Sequence, residues 1–168
     1  MKMDLQRSLA VCLVLLLACG IAQAEPLIHR LTIEPSDFPR ASEALQEAIE
    51  NQGLIPVARS RFGEMLARTG PVLGHPAPVY DQAEIAPFCS AMVSWGLVTE
   101  NPDYIALCPL TIAIYTLAGQ PGTVYLSYRE PGSESAALRA ASALLRDIAT
   151  ATVTAARIFR PAEKNENF

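Results

Sequence analysis

The chain has 168 residues, 51% of them hydrophobic and 18% charged, with 17 acidic side chains against 13 basic ones for a formal charge of −4. A chain of this length and apolar content builds one core and one domain. Its acidic balance argues against nucleic acid and anionic membrane surfaces as partners, because both require clustered Lys and Arg.

The chain begins with a targeting pattern. Lys2 and Arg7 precede an apolar run from Leu9 to Ala18, broken only by Cys12, and Ala22-Gln23-Ala24 follows as a small-residue cleavage site. The run is about half the ~20 residues a spanning helix needs, so no stable transmembrane segment is expected. The expectation is a signal peptide over residues 1–24, cleavage near Ala24, and a periplasmic or secreted chain starting at Glu25. An alternative lies in Leu16-Leu17-Ala18-Cys19-Gly20, which is similar to a bacterial lipobox and would leave the product lipid-anchored through Cys19. One domain is expected over residues 25–160, then a polar, flexible tail over 161–168.

Pro26 to Glu34 carries Leu27, Leu31 and Ile33 and reads as a first strand, with His29 inside it. Ser36 and Asp37 then offer capping oxygens to a helix whose Phe38, Ala41, Leu45, Ala48 and Ile49 share one face, and Gly53 ends it. Leu54 to Ser60 reads as a strand that Pro56 places at an edge or a bend. Arg61 to Arg68 makes a short helix, and residues 70–78, with three prolines and two glycines, make a loop that exposes His75.

Val79 to Ile85 suggests a short strand, and Pro87 at a first helical position suggests a helix from Phe88 to about Trp95. On that helix Phe88, Met92 and Trp95 share a face and read as core, and Cys89 falls in the first turn, where free backbone N–H groups favour a thiolate. After a turn at Asn101-Pro102-Asp103, Tyr104 to Cys108 and Thr111 to Leu117 read as buried strands separated by Pro109. Ala118 to Gly122 closes a hairpin onto the alternating strand Thr123 to Arg129. Pro131-Gly132 then leads into the longest helix, Glu134 to Arg160, with an apolar stripe through Leu138, Ala141, Leu145, Ile148, Thr152, Ala155 and Phe159. The fold class is therefore α+β, a largely antiparallel sheet with helices on one face.

The sequence holds no Gly-rich phosphate loop, no G-x-S-x-G, no H-E-x-x-H and no paired C-x-x-C, so no cofactor is implied. Asp81 with Glu84 reads as a solvated turn, and Arg129, near Tyr125 and Tyr128, as a surface charge at a strand end. With the leader removed, Cys89 and Cys108 are the cysteines that remain. Three readings stay open for them: a structural disulfide closing a loop of about 20 residues and worth about 3 kcal/mol, two separate buried thiols, or a redox, sulfur-handling or metal-binding pair. A metal would need further ligands, for which His75, Met92 and His29 are weak candidates; sulfur ligands favour copper(I) or zinc.

The order VYDQAEIAPFCSAMVSWGL, NPDYIALCPLTIAIY and VYLSYREP, preceded by ALQEAIENQGLIPVARS, resembles the family known as domain of unknown function 302, in a cysteine-containing branch. The resemblance spans roughly Glu34 to Phe159. It implies a TATA-binding-protein-like β-α-β-β-α arrangement and a tendency to form homodimers, with no assigned activity. It draws attention to Phe88, Cys89, Cys108 and Pro109. The function expected is that of an exported binding or accessory protein of the bacterial envelope with an unknown small-molecule or protein partner. The alternatives are a thiol protein using Cys89 and Cys108, or a purely structural disulfide-stabilised domain.

Overall fold

Alternation along Val124–Arg129 buries Val124, Leu126 and Tyr128 and leaves Tyr125 and Ser127 half-buried, as a strand covered on one face requires. A computed structural model describes residues 28–158; the leader, the cleavage site and the tail fall outside the described residues. Five strands, β1 (Ile28–Ile33), β2 (Ile55–Pro56), β3 (Tyr80–Cys89), β4 (Leu110–Leu117) and β5 (Val124–Arg129), form one antiparallel sheet in the order β1-β5-β4-β3-β2. The hairpin of β4 and β5 is as the sequence implies, and β2, with Pro56, lies at an edge.

Three helices cover one face. Helix α1 (Phe38–Glu50) is capped by the Asp37 carboxylate, which accepts the Arg40 N–H at 2.9 Å, and it buries Ala41, Ala44, Leu45, Ala48 and Ile49. Helices α2 (Phe62–Thr69) and α3 (Ala91–Glu100) follow in the chain, and the longest helix, α4 (Ala136–Ile158), buries Leu138, Ala141, Leu145, Ile148, Ala149 and Ala156. Thr152 is buried on the same stripe, and its hydroxyl is satisfied by the Ile148 carbonyl at 2.8 Å. Helices α1 and α4 pack on each other and on Ile33, Phe88, Ile112, Ile114, Val124 and Leu126, with α3 adding Leu97. The α+β expectation holds for these three helices. The short α2 lies on the opposite face, so close to β3 that a Cβ on Gly63 would stand 2.9 Å from the Ala83 nitrogen.

Three expectations need correction. β3 runs through Phe88 and Cys89, and α3 begins at Ala91, because the Ser90 hydroxyl caps it by accepting the Val93 N–H at 3.4 Å. Pro87 is tolerated inside the strand because its carbonyl faces the β2 side, where it accepts the Val57 N–H at 3.1 Å, so the missing N–H also falls on that side and not in the ladder with β4. Cys89 therefore ends a strand and has no place in a helical first turn. Pro102–Leu107 is a 3-10 helix rather than a strand, started by the Asn101 side chain accepting the Asp103 N–H at 3.0 Å.

Phe88 is core, but Trp95 and Met92 are 72% and 84% exposed. Moving the helix start three residues turns that face outward. Leu126→Ala is expected to cost about 2–5 kcal/mol in denaturant unfolding, whereas Trp95→Ala stays within about 0.5 kcal/mol. Equal losses at the two positions would contradict this packing.

Candidate functional site

Side chains on the sheet face away from α1 and α4 come in cross-strand rows. One row runs Arg30–Ser127–Ala113–Ile85 across β1, β5, β4 and β3, and the next runs Thr32–Tyr125–Tyr115–Ala83. Small side chains at Ser127, Ala113 and Ala83 leave a hollow in the middle of this face. Phe62 of α2 and Tyr80 at the start of β3 wall it, and the space measures about 510 Å³. That is the size range of small-molecule sites.

The aromatic rings of this face form a chain of contacts that runs from the hollow's wall at Tyr80 and Tyr115 to Tyr125 beside it. Tyr80 meets Tyr115 edge-on at 5.3 Å, Tyr115 stacks on Tyr125 at 5.4 Å, and the Arg30 guanidinium lies over the Tyr125 ring at 5.4 Å. The Tyr125 hydroxyl donates to Gln120 Oε1 at 2.6 Å, which fixes that ring.

Two charged residues line the hollow, Arg30 and Glu84. Glu84 is neutralised: its Oε2 accepts from Arg59 Nη1 at 3.1 Å and from the Ser42 hydroxyl at 3.1 Å, while Arg59 Nη2 donates to the Ser42 carbonyl at 3.0 Å. This cluster ties the segment before α2 to α1 and β3, and it replaces the solvated turn expected for Asp81 and Glu84. Arg30 makes no ion pair among the described residues. The hollow therefore carries one uncompensated positive charge at the β1 end.

The sequence candidates lie elsewhere. Cys89 is exposed at the end of β3, on the face opposite Phe88, and Cys108 packs against the core with its Sγ 3.3 Å from the Ser94 hydroxyl. Both are free thiols in this structure. His75 lines a separate space of about 440 Å³ between α2 and the following loop, and Met92 is on the exposed side of α3. No group of three or more His, Cys, Asp or Glu side chains that could hold a metal occurs among the described residues.

His29 is on the helix-covered face, where Nε2 stands 2.5 Å from Glu130 Oε2 and the ring stacks on Tyr128 at 5.2 Å. Burial first, then Glu130 and Asp147, pushes the Tyr128 phenol above its ordinary range, against an opposing pull from Arg146.

The sequence reading missed Arg30, Phe62, Tyr80, Ala113, Tyr115 and Ser127. The signal was present in β4 and β5, where Ala113, Tyr115, Tyr125 and Ser127 alternate with the buried Ile112, Ile114, Val124, Leu126 and Tyr128.

The model of a family described as "Domain of unknown function DUF302" matches residues 29–158. No curated protein matches the chain. Among solved structures, the crystal structure of an uncharacterized conserved DUF302 protein from Bacillus stearothermophilus is similar, with a TM-score of 0.59 at 15% identity, over 79% of this chain and 100% of that one. That likeness is one of fold, and no helix among the described residues is long and apolar enough to cross a membrane. With its family model matched over residues 29–158, this chain belongs to the DUF302 family.

Proposed function

We propose that this protein is a small ligand-binding or accessory domain, and that its site is the hollow between α2 and the uncovered sheet face. The observation that carries the reading is the hollow itself: about 510 Å³, walled by Phe62, Tyr80, Tyr115 and Ile85 and floored by Ala113 and Ser127. An apolar concavity with a few convergent polar groups on a rigid sheet is the usual form of a small-molecule site. The thiol reading has less support, because Cys89 does not start a helix and Cys108 is turned to Ser94.

The leader pattern over residues 1–24 supports delivery of this domain to the bacterial envelope. The hollow supports the small-molecule part of this reading and the leader pattern supports its envelope part.

Ala113→Leu fills the floor of the hollow without touching the helix-covered core. In a thermal-shift screen against a small-molecule library, hits that stabilise the wild type are expected to vanish in Ala113→Leu while the unliganded melting temperature changes little. Hits that persist in the variant would place binding elsewhere and sink the proposal. Intact mass of the protein isolated from the envelope, after alkylation without reduction, is expected to show a chain starting at Glu25 with two modified thiols, Cys89 reacting before Cys108. A lipidated Cys19 terminus would overturn the soluble exported product, and an unmodified chain that gains two labels only after reduction would restore the disulfide.

A further inference from the structure

We infer that the ligand of this hollow is a monocarboxylate with a flat or apolar body, held with its carboxylate against Arg30 and Ser127. The inference rests on the proposed binding site and adds the chemical class of what fills it.

Arg30 and Ser127 are direct cross-strand partners on the open face and both line the hollow, so one ligand group entering between β1 and β5 has both side chains within its surroundings. Glu84 Oε2 is already committed to Arg59 and to the Ser42 hydroxyl, so its charge is paired and Arg30 is the uncompensated charge among the lining residues. Stacking over Tyr125 holds the guanidinium in place and leaves the N–H fork available, since a π face engages the plane and not the N–H edges. A planar fork with one positive charge matches one carboxylate in a bidentate pair. A phosphate dianion fits less well, because a second negative charge would have no counter-charge in this lining and the chain as a whole is acidic.

The rest of the hollow selects the body of the ligand. Tyr80 and Tyr115 present ring surface, Phe62 closes the far side, and Ile85 and Ala113 offer no hydrogen-bonding side chain, so a flat apolar group fills the remaining space.

The test is an amide NMR titration of the mature chain with 2-naphthoate and with its neutral analogue 2-naphthamide. The expected result is that both perturb the Ala113 and Ser127 amides and that the carboxylate binds at least about tenfold more tightly, the scale of one charge-assisted pair. Arg30→Gln, at an exposed position, is expected to remove that preference while leaving naphthamide binding in place. Equal binding of the two probes at the hollow, or a preference that survives Arg30→Gln, would overturn the carboxylate assignment and keep the binding site. Failure of both probes to perturb Ala113 and Ser127 would overturn the site together with the assignment.

Discussion

The structure depends on one face of the sheet being sealed. Ile112 and Ile114 of β4, Val124 and Leu126 of β5, Ile33 of β1 and Phe88 of β3 are fully buried under α1 and α4. Burying a side chain of this size is worth about 1.5–3 kcal/mol, so the row fixes strand register as well as stability. Because side chains alternate along a strand, a register fixed by the sealed face also fixes what the other face displays. The hollow is a consequence of that arithmetic: Ala113 must point away from the helices because Ile112 and Ile114 point toward them.

The second constraint is the anchoring of α2. This helix buries no side chain fully, so it is held by the Gly63–Ala83 approach and by the Arg59–Glu84–Ser42 cluster that precedes it. Glycine is needed where a Cβ would strike the β3 backbone. The partly buried ion pair holds position more than it adds stability, since taking charges from water offsets much of their attraction. Placed this way, Phe62 stands over the sheet and turns a flat surface into a concave one.

Much of the fold was legible because it rests on period. The three- and four-residue steps in α1 and α4 and the two-residue steps in β5 identify those elements from single residues such as Leu45, Leu145 and Leu126. Where an alternative local signal competed, the reading failed: Pro87 looks like a helix start, yet Ser90 is the cap, and that difference carried Cys89, Met92 and Trp95 to the wrong places. The apolar composition around Tyr104 likewise suggested a strand where the Asn101 side chain begins a 3-10 turn. The hollow was not legible, because it is assembled from four strands by pairing, and nothing in the local sequence of Arg30 says that Ser127 is its neighbour.

The sheet face carrying Tyr115 and Tyr125 is open, and the face carrying Tyr128 is sealed by helices. Hydroxyl-radical footprinting of the mature chain reads both at once, with exposed Trp95 as the internal reference. Oxidation of Phe62, Tyr115 and Tyr125 at rates between those of Trp95 and Tyr128, with Tyr128 protected, is the predicted result. Protection of Tyr115 and Tyr125 as complete as that of Tyr128 would contradict it, showing that a second copy or another part of the chain occupies the face assigned here to a small ligand.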